Sequence, residues 1–258
     1  MKIMRSNGFT LAEVLITLGI IGVVAAMTMP SLIANYNGKK YRTAFKKTIS
    51  VLSQAAAMNK ANEDFDYSGA TGGYGVQFEG ASRNFLIYKI AENNIKGIEY
   101  TDTINRFGNE ATIGLKKDED GYSSYSIKQA TPQSGDRFAT DQIGAFALSD
   151  GVWVTFPDSL SLGDCHLAEG KTISSEWFES DYVSTNPDAN VRFCGGYIDV
   201  NGPKGPNKEV SCTTGTTSFD WNEPCTVSDG SMGDVFPVIF HDSVVEPATN
   251  AARAAFLK

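Results

Sequence analysis

The chain has 258 residues, 41% of them hydrophobic, and a formal net charge of −8, so it is long enough to bury a core of its own. The charge is unevenly placed: the first 60 residues hold eight Lys or Arg and a single acid, Glu13, which leaves 14 basic against 29 acidic side chains, near −15, from Ala61 onward. That balance argues against direct nucleic-acid binding, which draws on clustered cations facing phosphate.

The first predicted element is a membrane helix. Between Leu11 and Met29 only Glu13 carries charge, and roughly 20 apolar residues at about 1.5 Å rise each cross about 30 Å of hydrocarbon. Lys2 and Arg5 would also suit a cleaved secretory signal, but such signals have a shorter apolar core followed by small residues. This run is longer, holds an acid, and continues into a helical pattern. A carboxylate near the apolar edge of a span is costly and is usually kept for a partner or a function. Pro30 follows "AAMTM" and removes one helix hydrogen bond, so a kink, a locally melted stretch, or the end of the helix is expected there.

Beyond Pro30 the pattern turns amphipathic, with Tyr41, Phe45, Ile49, Leu52 and Ala56 spaced by three or four, which predicts a helix running on to about Ala61 with its apolar stripe on a head. Lys39, Lys40, Arg42, Lys46 and Lys47 outnumber the two cations ahead of the span and oppose the positive-inside rule, although large domains translocate with little regard to charge. This basic belt is expected to meet acidic heads of neighbouring copies. The glycine-rich "YSGATGGYG" is a loop. "NFLIYKIAEN" reads as a helix, "GAFALSDGVWVTF" as strand, Asp150-Gly151 turn and strand, and "VRFCGGYIDV" and "DVFPVIF" as further strands. The fold class is α+β, a long N-terminal helix packed on an antiparallel sheet.

Cys165, Cys194, Cys212 and Cys225 all lie in the head, and an even number outside the cytoplasm favours disulfides in one of three pairings. We expect Cys165 with Cys194 and Cys212 with Cys225. Zinc competes poorly, because there is no CxxC spacing and only His166 and His241 could assist. His241-Asp242 invites a hydrolase reading, yet no GxSxG, HExxH, Walker A or GxGxxG motif occurs. The expectation is that the chain is not an enzyme.

The residues "GFTLAEVLITLGIIGVVAAMTMP" resemble the prepilin N-terminus shared by type IV pilins and the pseudopilins of type II secretion, a likeness covering about the first 55 residues. The likeness rests on a short basic leader ending in Gly8, an aromatic Phe9, a carboxylate five residues into the mature chain, and a long apolar helix. It implies that prepilin peptidase cuts between Gly8 and Phe9 and methylates the new amine of Phe9. Glu13 would then neutralise the amine of an adjacent copy inside a filament core, where low dielectric penalises a wrong axial register. Pro30 stands where such pilins often carry a helix-breaking proline.

The division implied is a leader over 1–8, a transmembrane and filament-core helix over 9–33, an amphipathic helix over 34–61 and an extracytoplasmic head over 62–258. The function implied is that of a structural subunit of a type II secretion pseudopilus or type IV pilus-like filament. The alternative is a surface pilin for adhesion, motility or DNA uptake. Partners would be the peptidase, copies of itself or related pilins, and an inner-membrane assembly platform. The subunit would sit in the cytoplasmic membrane with its N-terminus inside until assembly.

"GGYIDVNGPKGPNKE" followed later by "GDVFPVIFHD" resembles a motif of pseudopilin heads in which an Asp-x-Asn-Gly loop precedes an Asp-x-Phe strand. In major pseudopilins a loop of this region binds calcium, which makes Asp199, Asn201, Asn207 and Asp234 candidate ligands and calcium the candidate cofactor. Hard oxygen donors suit that ion. Here Val210 to Met232 are inserted between the halves. A turn held by Asp and Asn bonds to backbone is the other reading.

Overall fold

In the computed structural model the described residues are 10–70, 86–101, 116–118, 121–123, 143–157, 194–202, 208–218 and 220–258. Helix α1 is a single run of 53 residues, Leu11–Glu63. Thr10 begins it: its hydroxyl accepts from the Glu13 N–H, and the Glu13 carboxylate accepts from the Thr10 N–H at 2.8 Å, the reciprocal pair of a capping box. Asp64 ends it in the left-handed conformation, φ 59°, a conformation open to Asp at a helix C-terminus.

Of the outcomes expected at Pro30, melting and termination do not occur, since Pro30 lies inside α1. A proline withholds one N–H and leaves a carbonyl four residues back unpaired, a defect that longer flanking turns can tolerate. Both threonines within this half bond to their own helix, with Thr17 Oγ1 donating to the Val14 carbonyl at 3.0 Å and Thr28 Oγ1 to the Val24 carbonyl at 3.0 Å. Side chains that return their protons to the backbone suit a segment surrounded by hydrocarbon.

Burial along α1 begins at Gly38 and continues through Arg42, Phe45, Thr48, Ile49, Leu52, Ala55, Ala56 and Asn59. Residues Leu11 to Ile33 stay exposed, Leu11 by 79% and Ile33 by 57%. The expected stripe is therefore present, with Tyr41 at its half-buried edge and polar Arg42, Thr48 and Asn59 added to it. Gly38 lets the head approach, since a Cβ there would lie 2.0 Å from the Asp229 carbonyl oxygen. One turn later the Arg42 guanidinium pairs with the Asp229 carboxylate.

The head begins with a small hairpin, β1 (Phe65–Asp66) and β2 (Gly69–Ala70), whose turn and second strand fall in the stretch read as loop. Helix α2 (Leu86–Asn94) follows, then β3 (Glu99–Thr101), the hairpin β4 (Lys116–Asp118) and β5 (Gly121–Ser123), and β6 (Ile143–Ala147) with β7 (Trp153–Pro157). Then come β8 (Cys194–Asp199), the short pair β9 (Thr214–Gly215) and β10 (Cys225–Thr226), a 3-10 turn at Asp229–Ser231, β11 (Val235–His241), β12 (Val244–Pro247) and the terminal helix α3 (Asn250–Leu257). The main sheet has six strands in the order β12-β11-β8-β7-β6-β3, every neighbouring pair antiparallel. This is the α+β, pilin-like layout expected.

The core sits where α1 crosses the sheet. All seven residues of β11 are buried, so it reads as a nearly continuous apolar run rather than an alternation. The Phe45 ring stacks on Phe236 at 4.1 Å between centroids and meets Phe256 edge-on at 6.2 Å, which ties stem, sheet and α3 together. Tyr67 is fully buried, and its hydroxyl donates to the Leu52 carbonyl at 3.1 Å.

The inserted loop is closed by a disulfide between Cys212 and Cys225, 13 residues apart, as expected. Its β9–β10 pair lies against α3, and the Asn250 side chain anchors it, accepting from the Ser218 N–H and donating to the Thr216 carbonyl, both at 2.9 Å. The expected Cys165–Cys194 bridge involves Cys165, which lies outside the described residues. A loop of this length frees about 3 kcal/mol of chain entropy in the unfolded state when the link is cut. Cys212→Ser with Cys225→Ser is therefore expected to lower unfolding free energy by that amount, measured by denaturant titration of the intact chain.

Candidate assembly site and carboxylate loop

Two places gather the residues singled out by the sequence. The first is the start of α1. Gly8 and Phe9 lie outside the described residues, whereas Glu13 sits in the first helical turn. In a single subunit its carboxylate serves its own helix, accepting from the Thr10 N–H and from Thr10 Oγ1 at 2.9 Å. The role was readable in "TLAE", a Thr with Glu three residues later, but the membrane context drew attention to the charge alone. The carboxylate stays exposed to the surroundings of the helix, and so do the apolar residues from Leu11 to Ile33 beside it. No described residue of the head covers this half of α1.

The second place is the end of β8, where the stem meets the head. Antiparallel pairing sets Asp199 opposite Val235, which brings Asp234 beside it; the Val200 N–H donates to the Asp234 carbonyl at 3.0 Å. Both acids are fully buried. Asp199 Oδ1 accepts from the Asn201 N–H at 3.2 Å within the turn, and Asp234 Oδ1 accepts from the Lys208 N–H, 26 residues away, at 2.6 Å. Gly202 follows at φ +61° with Trp153 against it, a position a side chain could take only with strain. Asn201 Nδ2 donates to Tyr41 Oη at 3.4 Å, a link to α1 that no sequence pattern signalled.

The loop does not satisfy everything it buries. Among the described residues Asp199 Oδ2 has no hydrogen-bond partner. Burial first, and the nearby Asp234 charge, push the Asp199 carboxyl up to about 7 against the Asn201 and Gly202 N–H groups. Burial and the same two acids also hold the Tyr41 phenol above its ordinary value. Asp66 shows the contrast. It is equally buried, yet Lys60, Ser68 and Ser243 all donate to it, the first at 2.7 Å and the last at 2.8 Å, and together they outweigh burial and lower its pKa.

Two buried carboxylates and an amide are a donor set that hard cations accept. Asn207 lies outside the described residues, and among the described residues no three His, Cys, Asp or Glu cluster for a metal. Zinc-type ligation therefore has no support in them.

His241 is held between two acids, with Nδ1 at 3.1 Å from Asp242 and Nε2 at 3.7 Å from Glu246. Burial lowers its pKa, but the two carboxylates outweigh that and push it up to about 9. An imidazole held as a cation at neutral pH does not serve as a general base.

A pH prediction follows. The folded pKa of Asp199 lies above its ordinary 3.8, so the folded state binds the extra proton; the resulting stability is complete below about pH 4 and is lost as pH rises through 7. His241, also raised, contributes stability that fades only as pH climbs from about 6.5 through 9, and Asp66 and Asp150, both lowered, act below about pH 4. Between pH 4.5 and 6.5 Asp199 therefore dominates. Wild-type stability is expected to fall by about 1 kcal/mol per pH unit there, and Asp199→Asn should flatten the slope, measured by urea unfolding at fixed pH.

The prokaryotic N-terminal methylation motif matches residues 3–29, the stretch from Ile3 through Met29 that contains Gly8, Phe9 and Glu13. No curated protein and no solved structure matches the chain. The matched motif and the exposed apolar half of α1 coincide, and the described residues from Phe65 onward fold as a head on the other half. The chain thus carries the prepilin signal of type IV pilins and pseudopilins on a fold of pilin-like layout.

Proposed function

We propose that the chain is a structural subunit of a pilus-like filament, cut between Gly8 and Phe9, methylated, and assembled through the Leu11–Ile33 half of α1. One observation carries this reading: an apolar helix half, uncovered by its own head, begins with the prepilin signal. Such a surface is stable in a bilayer before assembly and in a bundle of like helices after it. Within that class we favour a type II secretion pseudopilus. The buried Asp199 and Asp234 beside Asn201 support it, as residues suited to holding calcium through carboxylate and amide oxygens, with backbone carbonyls or water completing the shell. Calcium bound there would screen the Asp199 and Asp234 charges and remove the loss of stability expected as pH rises toward 7. The disulfide-closed loop is the feature compatible with a surface pilin for adhesion, motility or DNA uptake.

The test is co-expression with a prepilin peptidase and an assembly platform. Mass spectrometry should find the mature chain beginning at Phe9 with one added methyl group, and electron microscopy should show filaments. A chain that is left uncut, or that is trimmed after Met29, contradicts the reading. Short filaments confined to the cell envelope favour the pseudopilus, and long surface fibres the pilus.

A further inference from the structure

The basic belt is not uniform once folded. Arg42 is committed to Asp229 and Lys47 to Asp150 at 2.7 Å, within the subunit rather than to a neighbour. Lys39 and Lys40 are exposed, and among the described residues no ion pair engages them. They border a groove of about 710 Å³ between the Tyr36–Lys47 face of α1 and the β6–β7 turn, with Asp150, Gly151 and Trp153 on its far wall. Lys47 matches the Asp150 charge, so the groove keeps the two positive charges of Lys39 and Lys40.

We propose that this groove seats the anionic headgroup of a phospholipid at the outer face of the membrane while the subunit awaits assembly. Depth along α1 favours a lipid. Lys39 is six residues past Ile33, about 9 Å at 1.5 Å per residue, and the headgroup layer extends roughly 5–8 Å beyond the hydrocarbon, within reach of a flexible lysine stem. Tyr36, 69% exposed, stands between, an aromatic ring with a polar tip at the level where such residues collect. Cations on this side of a span oppose the usual charge bias, and a phosphate oxyanion is a ligand that accounts for keeping them. The proposal rests on the membrane span and on the head lying outside, as in the function proposed above, and does not require that filaments form.

The experiment is native mass spectrometry of the detergent-solubilised full chain titrated with phosphatidylglycerol or with phosphatidylcholine. Two lysines at about fivefold each give an expected preference of about 25-fold for the anionic lipid. Lys39→Gln with Lys40→Gln should bring it to the phosphatidylcholine level, whereas Lys96→Gln, an exposed lysine elsewhere on the head, should leave it unchanged. Equal retention of the two lipids, or unchanged retention in the double variant, overturns the proposal. If the double variant keeps its lipid but stops building filaments, the lysines meet an acidic face of a second copy instead. Since lipid retention is read on the unassembled chain, its loss and the loss of filaments are separate outcomes.

Discussion

Glu13→Gln is expected to leave α1, membrane insertion and cleavage intact while filaments disappear. Glutamine at the third helical position completes a capping box as well as glutamate does, so the Thr10 N–H keeps its acceptor and the first turn keeps its geometry. Size and shape are nearly unchanged. The only property removed is the negative charge, and among the described residues no cation answers it, since its described hydrogen bonds are to Thr10. A charge without an internal use is the one expected to matter between subunits, where the amine of Phe9 enters the same apolar bundle and needs a counter-ion. Immunoblotting for the shortened chain and counting filaments by electron microscopy separate the two roles. Wild-type numbers of filaments from Glu13→Gln would mean that capping is the whole of its task.

Phe45→Ala is expected to be the most damaging single change in the head, at about 4–5 kcal/mol. The ring is fully buried, stacks on Phe236 and meets Phe256 edge-on. Truncating a buried Phe costs about 3–5 kcal/mol through lost transfer and the cavity left behind, and each aromatic pair adds about 0.5–1.5 kcal/mol. The cavity would open between α1, β11 and α3, three elements that have no other way to close on one another at that point. Chemical denaturation should show a midpoint shift with little change in slope. Phe45→Leu, which refills most of the volume, should recover more than half. A loss below about 1 kcal/mol for Phe45→Ala would show that the stem is held mainly elsewhere, through Arg42 and Asp229 or through Tyr67.

Much of the stem was legible because its two halves obey different simple rules. An uncharged run of membrane length needs no partner to be recognised, and Phe45, Ile49, Leu52 and Ala56 declare their face by spacing alone. Strands β6, β7, β8 and β11 were equally plain, each an apolar run between turn residues. Strand β12 and helix α3 went unread. Val244–Pro247 is four residues long, and its burial follows from lying beside β11 rather than from any alternation strong enough to stand by itself. "NAARAAFL" is rich in small residues whose burial depends on the disulfide loop and α1 being there to receive them.

The candidate site divides in the same way. Thr10 and Glu13 are three residues apart, so their capping box was written locally. Asp199 and Asp234 were picked out from a motif, but their adjacency comes from the pairing of β8 with β11, and the approach of Tyr41 to Asn201 spans 160 residues. Contacts of that range are created by the packed sheet and leave no periodic trace in the chain. At Pro30 neither a melted stretch nor a stop materialises: its helix-breaking tendency is real, but helical turns on both sides outweigh one missing bond.

That unbroken passage through Pro30 makes α1 a caliper between its two ends. Twenty-five residues separate Glu13 from Gly38, where the head first grips the rod, so with about 1.5 Å and 100° per residue the spacing fixes both the height of the head and the compass direction it faces. One extra residue between them would swing the head by about 100°, while seven would return it to within about 20° of its starting azimuth. In the proposed filament, wherever the charged end seats, the direction each head faces would follow from counting residues along the rod.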